Sequence, residues 1–228
     1  VQELVSQLDW NGMLSLVLKI AAVLICIMVH EVSHGLAAYW LGDPTAKKQH
    51  RLSLNPIHHI DPFGLLMMIT VGFGWAKPVP VDPRYFKNQK SGMAITAFAG
   101  PLSNFILAFL TALLFHAVVG IWYVQGNQSV LFHLADFLGM VIVLNIGLGI
   151  FNLFPFPPLD GSKILGFILP ERLYFALMRY ERYGMLLLVA ILWLGVLNTP
   201  LSVAREWMLQ LVLNSTAFIQ DVAIASLR

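Results

Sequence analysis

Residues 23–40 read VLICIMVHEVSHGLAAYW, an apolar run of membrane-crossing character interrupted by His30, Glu31 and His34. A charged side chain in a span costs about 2.5–3.5 kcal/mol even on the lenient insertion scale. The run therefore needs a partner that makes this polar group tolerable. The pattern H-E-x-x-H suggests one. On a helix, positions i and i+4 lie one turn apart on the same face, so His30 and His34 can ligate one Zn²⁺. Glu31 projects from an adjacent direction and can serve as general base toward a zinc-activated water. Gly35, directly after, permits close approach of a neighbouring helix.

The rest of the chain fits a membrane setting. Of its 228 residues, 58% are hydrophobic and 11% charged, against about 25% charged in a soluble domain, and the mean hydropathy is +0.74. The net charge of +2 comes without a Lys/Arg block, which argues against a nucleic-acid partner. The single Cys26 excludes an internal disulfide and reads as a small buried hydrophobe. Glu3 and Asp9, with no basic residue in the first twelve, do not make the n-region of a cleavable signal.

The expected fold is an all-α polytopic membrane protein. A crossing needs about 20 apolar residues. Four stretches qualify, at about 13–41, 93–123, 131–156 and 183–201. The first three would form the catalytic core. Residues 62–81, PFGLLMMITVGFGWAKPVPV, are too short to cross. Their glycines and prolines predict a re-entrant or β-hairpin-like loop bordering a wet cavity. The stretch from Pro200 predicts an amphipathic helix at the interface, with a fifth partial crossing as the alternative. The whole chain, 1–228, reads as one membrane-embedded domain, with a core at about 13–170 and an accessory span and helix at 171–228.

Of the 14 Lys and Arg residues, Lys47, Lys48, Arg51, Lys77, Arg84, Lys87 and Lys90 fall between the first two spans. Lys163, Arg172, Arg179 and Arg182 follow the third, and residues 120–132 carry none. The positive-inside rule then puts both basic loops in the cytoplasm and the N-terminus outside.

A catalytic zinc takes three protein ligands and keeps one position open. Asp136, His116 and His133 lie toward the outer ends of spans, whereas His30 sits in the cytoplasmic half of the first. His50, His58, His59 and Asp61 occupy the cytoplasmic loop, where NPIHHIDPFG reads chiefly as turn chemistry. Asp160, in FNLFPFPPLDG, matches the depth of His30, and Pro155, Pro157 and Pro158 supply irregular backbone there.

Together these residues resemble the site-2 protease family of intramembrane zinc metalloproteases. The carriers are His30–His34 in one span and the N-x-x-P-x-x-x-x-D-G run of Asn152, Pro155, Asp160 and Gly161 at the end of a later one. Gly100, Pro101 and Asn104 in GPLSN, and LNPIHHIDPFG, also look like family features. The resemblance covers about residues 20–170. It implies that His30, His34 and Asp160 hold one Zn²⁺, that Glu31 activates water, and that a peptide bond in or near a transmembrane segment of a substrate is hydrolysed. It implies that Asn152 holds substrate backbone or the developing oxyanion. It also implies that the loop containing Gly72 and Gly74 pairs with substrate. A short loop between the second and third spans leaves no room for an inserted PDZ-like domain. The expected partners are a transmembrane substrate, the lipid bilayer and regulatory membrane proteins. The competing reading is a membrane zinc transporter or sensor using the same His/His/Asp set without hydrolysis. Such a protein has no need of Glu31.

Overall fold

The computed structural model describes residues 10–71, 77–126, 129–170, 172–173 and 181–227. These form helices α1 (Trp10–Trp40), α2 (Thr45–Lys48), α3 (Pro62–Val71), α4 (Gln89–Gln125), α5 (Ser129–Asn152), α6 (Asp160–Ile168), α7 (Glu181–Trp193), α8 (Asn198–Thr216) and α9 (Phe218–Ser226). Short 3₁₀ turns lie at Pro56–His59 and Pro83–Tyr85. No strand occurs among the described residues.

Four helices are long and apolar enough to cross a bilayer: Gly12–Trp40, Gln89–Gln125, Ser129–Asn152 and Asn198–Ser226. The protein is thus polytopic, and the first three spans fall where the hydropathy puts them. The fourth does not. Within 183–201, α7 stops at Trp193 after 13 residues, a rise of about 20 Å against a hydrocarbon core of about 30 Å. Gly195, at φ +70, turns the chain there, a conformation that side-chain-bearing residues rarely adopt.

The spanning length belongs instead to α8 and α9 together, the stretch for which the sequence left open an interfacial helix or a further crossing. Val212, flanked by Met208, Leu209 and Leu213, closes an apolar cluster with Ala108 and Ala112 of α4 and Ile142 and Ile146 of α5. Further along, a Cβ at Gly120 would lie 2.8 Å from Ala223, so α9 meets α4 where no side chain intervenes.

The loop expected over 62–81 is helical in its first half, since α3 occupies Pro62–Val71. The Asp61 carboxylate accepts from the Gly64 amide at 2.8 Å and starts that helix, in line with its turn chemistry. Gly72 and Gly74 lie outside the described residues. Residues 77–82 carry no helix and no strand pairing.

α4 is the hub, packing on α1, α5, α6, α8 and α9. It begins where Asn88 caps it, accepting from the Ser91 amide at 3.0 Å. It ends at Gln125 with Gly126, φ +80, as its C-cap, three positions before α5 starts. Its face toward α1 carries Gly100 and Asn104, both buried, and next to them run the small residues Ala97 and Ala108. Exposed Leu16, Val17, Ile106, Leu110 and Leu114 turn outward. Without a hydrophobic drive between helices in lipid, such close backbone approach is what holds them together.

Candidate metal centre

His30 lies ten residues before the end of α1 at Trp40, about 15 Å into the helix. The i, i+4 spacing puts His30 and His34 on the face that α4 covers. Gly100 makes that covering feasible. A Cβ there would sit 2.4 Å from His34 Cε1, 2.5 Å from His34 Nε2 and 2.7 Å from His30 Cε1.

Asp160 arrives from the other side. α5 ends at Asn152, and the proline-rich turn through residues 153–159 leads into α6, whose first residue is Asp160. Gly161 lets this turn fold back on itself, because a Cβ would fall 2.3 Å from the Leu153 carbonyl oxygen and 2.4 Å from that of Phe154.

The three side chains converge. His30 Nε2 lies 3.2 Å and His34 Nε2 3.1 Å from Asp160 Oδ2, and the two imidazole nitrogens are 3.0 Å apart. All three residues are buried. Around a zinc ion with N and O ligands at 2.0–2.1 Å, two corners of a tetrahedron stand about 3.3–3.4 Å apart. The observed triangle matches one face of that figure. Two imidazole nitrogens facing each other and one carboxylate oxygen form a donor set suited to a cation.

The far nitrogens of both histidines are fixed. His30 Nδ1 lies 2.5 Å from Asn104 Oδ1, and His34 Nδ1 lies 2.7 Å from the Thr96 carbonyl oxygen. With Nδ1–H donating in each ring, Nε2 is left unprotonated and free to ligate. Asn104 is itself locked. Its Nδ2 donates to the Cys26 carbonyl at 3.2 Å and to Asn145 Oδ1 at 2.6 Å. Asn145 in turn donates to the Val141 carbonyl at 2.8 Å and to Cys26 Sγ at 3.0 Å. Asn104 stood in the sequence only as part of GPLSN, and Asn145 was not singled out. The available signal was two amides in the middle of apolar spans, where a polar side chain needs a partner.

The centre opens into a cavity of 520 Å³ lined by Glu31, Pro78, Val79, Asn152 and Lys163 among others. Glu31 Oε2 accepts from the Val79 amide at 2.8 Å. Asn152 borders the cavity, and its Nδ2 donates to the Leu148 carbonyl one turn back at 3.0 Å. Lys163, read in the sequence only as a topology marker, places its Nζ 4.0 Å from Asp160 Oδ1.

The other ligand candidates are elsewhere. His116 faces α8, its Nε2 3.1 Å from the Leu213 carbonyl oxygen. Asp136 lines a separate, largely apolar cavity of 690 Å³ between α1, α4 and α5. His59 is buried in the loop between α2 and α3 with its Nε2 2.8 Å from the Ser53 carbonyl oxygen. Among the described residues, His30, His34 and Asp160 are the group that converges on a metal position.

The chain resembles known proteins. YwhC of Bacillus subtilis (strain 168), a provisionally named zinc metalloprotease, is 38% identical over 191 residues, covering 82% of this chain and 83% of that protein. The profile of peptidase family M50 matches residues 116–195. The chain belongs to peptidase family M50. Rip2 of Mycolicibacterium smegmatis, also provisionally named a zinc metalloprotease, is 29% identical over 203 residues, 86% of this chain and 71% of that protein. No solved structure matches the chain. M50 membership agrees with the site-2 protease resemblance, and the His/His/Asp centre sits within a zinc-metalloprotease-type site in a membrane protein.

Proposed function

We propose that this M50 protein binds one Zn²⁺ through His30, His34 and Asp160 and hydrolyses a peptide bond within or near a transmembrane segment of a membrane-protein substrate. The observation that carries the proposal is the buried donor triangle at span depth with the Glu31 carboxylate on the same cavity. Bound zinc would supply a Lewis acid that brings the pKa of water to about 7. Glu31 takes the proton of the attacking water and passes it to the leaving amine. Its Oε2 is occupied by the Val79 amide, which makes Oε1 the working oxygen.

Among the cavity side chains, Asn152, Lys163 and the Thr96 hydroxyl carry donors able to hold a substrate carbonyl. Gly72 and Gly74 belong to the same substrate-binding proposal on the strength of the family resemblance alone. A substrate helix hides its carbonyls in its own hydrogen bonds and has to unwind before attack. The cavity is where the unwound stretch would lie.

Orientation follows from charge. Lys47, Lys48, Arg51, Lys77, Arg84 and Lys87 lie between α1 and α4, with Lys90 in the first turn of α4, and the same segment supplies Pro78, Val79 and Val81 to the cavity wall, which supports a cytoplasmic side for this segment and an outside N-terminus. We take residues 1–228 as one membrane-embedded protease domain, with partner membrane proteins supplying regulation.

Wild type and Glu31→Gln, purified in nanodiscs, test the reading by metal analysis and cleavage of a single-span substrate. One zinc per chain in both is expected, with cleavage by the wild type alone, abolished by a chelator. Equal cleavage by the variant would sink the mechanism. Zinc flux into sealed vesicles without cleavage would favour the transporter reading.

A further inference from the structure

Residues 77–82, Lys-Pro-Val-Pro-Val-Asp, form a strap along the cavity wall, with Pro78, Val79 and Val81 in its lining. Three backbone amides of the strap point to named acceptors. The Lys77 amide donates to the His59 carbonyl at 3.0 Å, the Val79 amide to Glu31 Oε2 at 2.8 Å, and the Asp82 amide to Asp43 Oδ2 at 2.7 Å. Pro78 and Pro80 have no amide hydrogen and hold φ near −65°. Val79 is therefore the lone amide donor in 78–80, and Glu31 has it.

Both ends of the strap are clamped by buried polar side chains. Arg51, 7% exposed, donates from Nη2 to the Lys77 carbonyl at 2.7 Å. Asp43 is 0% exposed and accepts from the Thr45 amide at 2.9 Å and the Thr45 hydroxyl at 2.5 Å, besides the Asp82 amide. Such burial of a carboxylate is tolerated because its lone pairs are filled. The Val79 side chain rests at Gly35, where a Cβ would stand 3.0 Å from Val79 Cγ1 and 2.6 Å from Leu52. At its outer end Asp82 pairs with Arg84 at 2.6 Å, and this guanidinium holds the Asp82 carboxyl below the ordinary carboxylate range.

We propose that Asp43 and Arg51 are positioning residues for peptide hydrolysis. By clamping the strap at Asp82 and Lys77 they hold the Val79 amide where it fixes the Glu31 carboxylate over the metal centre. The inference rests on Glu31 being the general base. A glutamate side chain has three rotatable bonds, and productive geometry must be held to about 0.5 Å. Asp43 and Arg51 touch neither the donor triangle nor substrate. They act through the strap.

The test uses the full chain in nanodiscs. In Asp43→Asn the shape is kept, but one acceptor oxygen becomes an NH₂ group and the Asp82 or Thr45 contact is lost. A misplacement on the order of 1 Å can cost roughly 10²-fold. We therefore expect kcat to fall about 10–100-fold, with KM and zinc content as in the wild type. Arg51→Gln, which lets go of Lys77, should do the same. Independently of catalysis and of metal, hydrogen exchange reads the strap. In Glu31→Ala, examined in metal-stripped protein, the Val79 amide should exchange at least about ten times faster than in wild type, as expected for a lost hydrogen bond of ~1.4 kcal/mol. The flanking prolines isolate its signal. Unchanged Val79 exchange in Glu31→Ala would overturn the proposal. So would wild-type kcat in Asp43→Asn or Arg51→Gln, or a loss confined to KM or zinc content. A wild type that binds zinc but cleaves nothing would refute the proposed function instead, while the exchange arm still decides whether the strap holds Glu31.

Discussion

Replacing Asn104 by Leu tests whether the first link of the α4–α5 amide relay, from Asn104 to His30, sets the metal centre. Leu is close to Asn in shape, so the change removes hydrogen bonds and leaves no hole for water. Asn104 is 0% exposed, and its Oδ1 is the acceptor 2.5 Å from His30 Nδ1. Without it the Nδ1–H is buried with no partner, at a cost of about 1–3 kcal/mol. The ring can respond by swapping tautomer, which puts the proton on Nε2, the ligand atom. Loss of such an outer partner typically weakens metal affinity 10–100-fold, or about 1.4–2.7 kcal/mol, which agrees with the hydrogen-bond figure. Competitive titration of zinc against a chromophoric chelator reads it. Asn145→Leu is the matched control, since it removes the second link, 2.6 Å from Asn104 Nδ2, and leaves the His30 contact. It should lower stability yet hold zinc within about threefold of wild type, less than the span quoted for direct outer partners. Zinc affinity in folded Asn104→Leu within twofold of wild type would refute the relay.

Gly100→Ala should cost zinc affinity more than tenfold. Its Cβ would sit 2.4–2.7 Å from atoms of both imidazoles, so ring or helix must shift by about 1 Å where about 0.5 Å is tolerated; zinc titration checks it. Gly161→Ala meets backbone oxygens at 2.3 and 2.4 Å, which cannot swing away, and should reduce both expression of folded protein and zinc retention. Gly147→Ala meets nothing within 4 Å and should stay within about 0.5 kcal/mol of wild-type stability by thermal melting. Stripping the metal should lower the melting temperature. Zinc restored at 100 times its dissociation constant should return about 2.7 kcal/mol.

What the sequence could disclose depended on how local the physics was. His30, Glu31 and His34 stand within one helical turn, so their shared face follows from 3.6 residues per turn alone. Asp160 was separable from Asp136, His116 and His133 by depth, because charge topology orders the spans before any contact is known. The fourth crossing was not separable in this way. Residues 183–193 and 198–216 are both apolar, and a single glycine, Gly195 at φ +70, decides where one helix stops. The strap was hidden for a different reason. Lys-Pro-Val-Pro-Val-Asp gives no periodicity, and its partners Asp43, Arg51 and Glu31 lie 39, 26 and 48 residues away.

The polar cluster inside α1 is tolerated because α4 answers it group by group. Thr96 supplies a carbonyl to His34, Gly100 supplies space to both rings, and Asn104 supplies an acceptor to His30. These positions recur every four residues and therefore lie on one helical face. Pro101 sits inside the same face and removes the amide that would bond the Ala97 carbonyl, and Ala97 lines the cavity. Beyond Asn104 the face turns apolar at Ala108 and Ala112, which pack on α5 and α8. One helix therefore carries a polar third that builds the metal centre and an apolar third that anchors the bundle. Any change that slides α4 along α1 by a fraction of a turn disconnects all three contacts together. Metal affinity should therefore be sensitive to packing between α1 and α4, and zinc titration of variants enlarged at Gly100 reads it.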